Sequence, residues 1–75
     1  MVKVLLLAQF QEAAGRESVE MEAGGQTVAH VKSTLKENYN VLDLDHAQVT
    51  VNDEYKDMDT ELSDGDTVAF IPPQS

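Results

Sequence analysis

The chain has no cysteine and no tryptophan. Without cysteine there is no disulfide framework, no thiol nucleophile and no thiolate metal centre. Bases are scarce: five Lys and Arg face fourteen Asp and Glu, a formal net charge of −9. Such a field repels phosphate, so neither nucleic acid nor an anionic membrane surface is an expected partner. A basic protein surface is, because opposite charge speeds encounter. Long apolar runs are also missing. Val4-Leu5-Leu6-Leu7-Ala8 is too short to cross a bilayer. Cleaving it as a signal would remove the best strand of a very small domain, so a cytoplasmic protein is expected. Seventy-five residues make one domain, spanning 1–75, with a small core.

No arrangement of side chains reads as a catalytic or metal centre. His30 and His46 have no neighbouring ligand pattern. Asp57, Asp59 and Glu61 have the spacing of a calcium loop, but Leu62 stands at its glycine position and Val68 at its bidentate glutamate position. Gly24-Gly25 lacks the lysine of a phosphate loop and reads as a turn. Ser18, Ser33 and Ser63 lack a histidine–acid pattern in sequence. No bound cofactor and no metal are expected.

What is present is a pattern of elements. Residues 2–8 form an apolar run that reads as a central strand buried on both faces. Residues 9–14 fit a short helix stopped by Gly15. Residues 18–22 and 47–51 alternate apolar and polar side chains, as half-exposed strands do. Thr27 is placed to cap a helix whose apolar stripe is Val28, Val31, Leu35 and Tyr39. Asn38 or Asn40 stops it, and a connection over 41–46 follows, anchored by valine and leucine. Asn52-Asp53 reads as a turn into a short return strand at Tyr55, and Asp64-Gly65 as a tight turn into the last strand, residues 67–71. The order β, short α, β, α, β, short β, β implies an α+β fold of the ubiquitin-like β-grasp type. Its mixed sheet has one main helix packed on one face, and the two most apolar strands, first and last, lie parallel at its centre.

The two prolines, Pro72 and Pro73, are adjacent and follow the last strand. They end sheet pairing and favour an extended arm over residues 72–75. Beyond Asp66 that segment carries no charged side chain in an otherwise acidic chain, which suits insertion into a pocket of another protein. A terminal carboxylate on such an arm can be converted by ATP to an acyl-adenylate. A sulfur nucleophile then displaces AMP and leaves a thiocarboxylate, with no catalytic side chain required of the carrier.

Three passages resemble one family, the MoaD-like small subunits of molybdopterin synthase among the ubiquitin-like sulfur carriers. They are residues 3–12 leading to Gly15; Val49-Thr50-Val51-Asn52; and Leu62-Ser63-Asp64-Gly65-Asp66-Thr67-Val68-Ala69-Phe70-Ile71-Pro72-Pro73-Gln74-Ser75. The resemblance covers nearly the whole length, and the third passage is the specific one. It implies a non-catalytic carrier with two partners: an adenylating, E1-like enzyme that uses ATP, and the large catalytic synthase subunit, where sulfur is placed on a pterin precursor. Phe70, Ile71, Pro72, Pro73, Gln74 and Ser75 would enter or border the partner site, and Phe10 would join an apolar docking surface or sit in the core. The family carries its sulfur on a terminal Gly-Gly, which would follow Ser75. A carrier for thiazole or another thiolation pathway, and a ubiquitin-like binding module without sulfur chemistry, are the alternative readings.

Overall fold

The computed structural model describes residues 1–41, 44 and 46–72. Its elements in chain order are β1 (Val2–Leu6), α1 (Gln9–Ala14), β2 (Ser18–Met21), α2 (Val28–Asn38), β3 (Gln48–Val51), β4 (Glu54–Tyr55) and β5 (Thr67–Ile71). They form one five-stranded sheet in the order β2-β1-β5-β3-β4. The central pair β1–β5 is parallel, Lys3 to Leu6 lying beside Thr67 to Phe70. The other pairings are antiparallel. This is the expected β-grasp.

One face of the sheet is the core face. Val2, Val4, Leu6, Val19, Val49, Val51, Val68 and Phe70 join Val28, Val31 and Leu35 of α2 in a single buried cluster. The three helix residues are fully buried, as the stripe required. The expected connection after α2 is anchored by buried Val41 and Leu44; Leu42, Asp43 and Asp45 lie outside the described residues.

Both ends of α2 are closed by hydrogen bonds, local at the C-terminus and partly long-range at the N-terminus. The Thr27 side chain accepts from the His30 N–H at 3.4 Å. The Val28 and Ala29 N–H groups donate to the carbonyls of Thr60 (3.0 Å) and Met58 (2.9 Å), which satisfies helix donors that would otherwise be orphaned. At the far end Asn40 takes φ 56 and Val41 N–H donates back to Leu35 at 3.2 Å, so Asn40 is the left-handed stop.

Two expectations are corrected. The first strand is not buried on both faces: its pattern alternates, with Lys3 exposed and Leu5 half-buried, because α2 covers only one side of the sheet. It also ends at Leu6 rather than Ala8. Ala8 turns at φ 51, ψ −123, and the Phe10 N–H closes the turn onto the Leu7 carbonyl at 3.1 Å. That backbone region favours glycine, so an alanine there is strained. The turn drives Phe10 into the core at 1% exposure.

The loop 57–66 is pinned to the start of α2. Gly25 N–H donates to Leu62 and Leu62 N–H to Gln26, each at 2.7 Å. Gly24 passes so close that a Cβ there would lie 3.2 Å from the Asp64 backbone nitrogen. Two of the turns read from the sequence, Gly24-Gly25 and Asp64-Gly65, are therefore packed against each other.

Candidate functional site

Among the described residues no helix lies over the second face of the sheet. Residues paired across strands share a face, so one row can be read across all five: Tyr55 beside Thr50, Thr50 beside Ala69, Ala69 beside Leu5, and Leu5 beside Ser18. A second row pairs Gln48 with Ile71. Leu5, Ala69 and Ile71 are half-buried, while Leu7, just past β1, is 42% exposed and Tyr55 is 70% exposed. The floor is of small residues, Thr50 and Ala69, with leucines on one side and Tyr55 on the other. The parallel pairing puts the C-terminal ends of β1 and β5 at the same end of this face, so Leu7 and Ile71 lie where the chain leaves the sheet toward Pro72.

A groove of about 330 Å³ opens at that exit, lined by Gln48, Tyr55, Ile71 and Pro72. A second, of about 280 Å³, lies on the other side of the hairpin edge, where Tyr55, Lys56, Asp57 and Met58 meet residues 47–49. A third depression is polar and distant, between Met1, Glu22, Gly24, Gln26 and Asp64. Its Asp64 carboxylate is already paired with the Met1 ammonium.

The start of β5 is fixed by side chains. Asn52 Nδ2 donates to Asp66 Oδ1 at 3.1 Å, and Asn52 Oδ1 accepts the Thr67 N–H at 3.0 Å. Asp66 Oδ2 accepts the Ser63 N–H at 2.8 Å. These donors favour the ionised carboxylate, and hold Asp66 below its ordinary pKa, the Ser63 N–H contributing most and Asn52 next.

Of the seven expected contact residues, the structure brings Ile71 and Pro72 to the open end of the face, both half-buried. Phe70 points the other way and is fully buried, since β5 alternates and its neighbours Leu6 and Val49 are core residues. Phe10 is likewise a core residue and presents no docking surface, because the Ala8 turn folds α1 inward. Pro73, Gln74 and Ser75 lie outside the described residues. Sequence reasoning missed Leu5, Leu7, Gln48, Ala69 and Tyr55. Strand alternation carried a signal for Leu5 and Ala69, but the unbroken apolar runs over residues 4–8 and 68–71 obscured it. Among the described residues no group of three or more His, Asp or Glu could hold a metal ion, and no helix is long and apolar enough to cross a membrane.

Known proteins have this sequence pattern and this shape. The model of the ThiS family matches residues 4–75. The molybdopterin synthase sulfur carrier subunit of Escherichia coli is 34% identical over 77 residues, covering 97% of this chain and 95% of that protein. A molybdopterin converting factor subunit 1 from Pyrococcus furiosus has a solved structure that superposes with a TM-score of 0.84 at 31% identity, covering 97% of each chain. A complex of subunits 1 and 2 of the molybdopterin-converting factor from Helicobacter pylori contains a chain of the same fold, with a TM-score of 0.74 at 22% identity, covering 99% of this chain and 95% of that one.

Proposed function

Because this chain belongs to the ThiS family of ubiquitin-like sulfur carriers, we propose that it is the sulfur-carrying small subunit of a molybdopterin synthase. The observation that carries this reading is the uncovered apolar face running without a break into the β5 exit at Ile71 and Pro72. A partner that covers Leu5, Leu7, Ala69 and Ile71 is thereby positioned to receive the arm that leaves the same edge. The identity to the Escherichia coli carrier supports the choice of pathway.

In this reading the chain contributes no catalytic side chain. A cytoplasmic adenylating enzyme docks on the open face and transfers AMP from ATP to the carboxylate of a glycine following Ser75, releasing pyrophosphate. A sulfur nucleophile attacks the acyl carbon, AMP leaves, and the carboxylate becomes a thiocarboxylate. The same face then docks on the large catalytic subunit, whose pocket takes the arm and passes sulfur to the pterin precursor. Rigidity of the body matters here. The Asn52–Asp66 lock at its start and its central place in the sheet anchor β5, so the body need not reorganise on docking.

The test is reconstitution. The chain, extended by Gly-Gly and loaded as thiocarboxylate, is mixed with the large subunit and the cyclic pterin precursor, and dithiolene formation is followed. Turnover supports the proposal. No turnover, together with sulfur delivery to a thiazole-forming system, would reassign the acceptor within the same family.

A further inference from the structure

Tyr55 stands out among the large side chains of the open face. It is 70% exposed, sits on the two-residue edge strand β4, and together with Gln48 lines both grooves at the hairpin. Its ring is thus a wall shared by two depressions. On one side lies the apolar exit at Ile71 and Pro72; on the other lies Asp57. Three exposed carboxylates, Asp53, Glu54 and Asp57, fall within two residues of it. The base beside them, Lys56, pairs with Glu54 at 3.3 Å. An aromatic wall in a local excess of negative charge favours a cation on its face.

We propose that Tyr55 is a stacking platform for an arginine of the docking protein, with Asp57 as the flanking carboxylate. This deepens the docking reading above and rests on it. Arginine fits better than lysine because its planar guanidinium can lie on the ring and still donate to a carboxylate at its edge. The chain uses the same pairing internally: the Arg16 guanidinium lies over the Tyr39 ring, 5.7 Å from its centroid. A second copy of this chain is a poor occupant, since each carries a formal charge of −9. The subsite would let this carrier distinguish partners with an arginine at that point from those presenting only apolar side chains, because the carboxylates around Tyr55 lose water on docking and need a donor.

The experiment is binding kinetics of the full chain with the adenylating enzyme and, separately, the large subunit of the same organism. Five variants are compared: Tyr55→Phe, Tyr55→Leu, Asp57→Asn, the double variant Tyr55→Leu with Asp57→Asn, and Ile71→Asp, each checked for wild-type circular dichroism. With at least one partner, Tyr55→Phe should bind within about twofold of wild type, since the ring face is kept, and Tyr55→Leu should bind about tenfold more weakly. Asp57→Asn should weaken binding about threefold in wild type and less in the Tyr55→Leu background, since the two residues share one cation. Wild-type affinity of Tyr55→Leu for both partners, or equal weakening by Phe and Leu, overturns the arginine platform. If Ile71→Asp still weakens binding in that case, docking through the open face survives without it. If Ile71→Asp has no effect, the docking face falls and this subsite with it. A Tyr55→Leu effect confined to self-association in sedimentation would make the occupant a second copy, which also overturns the proposal.

Discussion

Asn52 and Asp66 are hydrogen-bonded side chain to side chain at 3.1 Å, fourteen residues apart in sequence. Asn52 closes the β3–β4 hairpin at φ 52, and Asp66 closes the turn that feeds β5. The bond ties two turns into one unit at the root of the strand that leads to the arm. The Asn turn and the Asp-Gly-Asp turn, each part of the sequence resemblance, are thus two halves of a single structural device.

That device should be visible in the acid limb of stability. The Asp66 pKa is lowered on folding. Its contribution is therefore present above the unfolded carboxylate pKa, about 3.9, and is lost as pH falls through the lower folded value. The melting temperature of Asp66→Asn should lie below wild type at neutral pH, and the gap should close as pH falls below about 4. Calorimetry between neutral and strongly acid pH measures it; a gap that stays constant would remove the charge from the explanation.

Core packing under α2 gives a larger effect. Leu35 is fully buried against the sheet, so Leu35→Ala should cost about 2–5 kcal/mol in denaturant unfolding. In a domain of this size that is much of the total. A loss below about 1 kcal/mol would mean that the site collapses around the cavity.

The Ala8 turn offers a gain. At φ 51, ψ −123 the alanine Cβ is strained, and Ala8→Gly relieves the strain while adding unfolded-chain entropy. The net expectation is a stabilisation of up to about 1 kcal/mol. Ala8→Val should move the unfolding midpoint the opposite way.

Docking should separate charge from contact. Raising salt should slow association with a basic partner more than it speeds dissociation. Truncation after Ile71 should instead raise the dissociation rate, because it removes the inserted arm. Rapid-mixing kinetics on the two chains resolve these effects, and an unchanged dissociation rate would show that the arm is no anchor.

Loading should depend on reach. Two extended residues span roughly 6.6–7.2 Å, and misplacement by about 1 Å can cost on the order of 100-fold in rate. With adenylating enzyme, ATP and a sulfur donor, a chain continued by Gly-Gly after Ser75 should form a thiocarboxylate and one ending at Ser75 should not. Intact-mass spectrometry with alkylation of the thiocarboxylate distinguishes sulfur from simple oxidation.

The element order, the parallel β1–β5 pair and the buried stripe Val28, Val31 and Leu35 were legible in the sequence, because periodicity and turn residues are local signals. The open face proposed for docking was not. A continuous apolar run does not reveal how many layers cover a sheet, so Leu5 and Leu7 read as core. Tyr55 lies on a strand of only two residues, too short for alternation to announce its face. Phe10 was left open between docking surface and core for a third reason: its burial depends on the strained alanine two residues before it, and nothing in the local pattern marks that turn.

The place of β5 in the sheet has a consequence for how the molecule is made. The last strand of the domain lies between β1 and β3, joining two portions that have no strand contact without it. A nascent chain that has emerged only as far as the Asp64-Gly65 turn holds two strand pairs that share no sheet contact, β1–β2 and β3–β4, each marginal in water. Closure must wait for the most distant pairing in the sequence, which also makes it slow. The segment that completes the body is the segment to which the arm is attached. An activating enzyme that requires the assembled face would therefore pass over unfinished or broken chains, and sulfur would be loaded only onto finished ones.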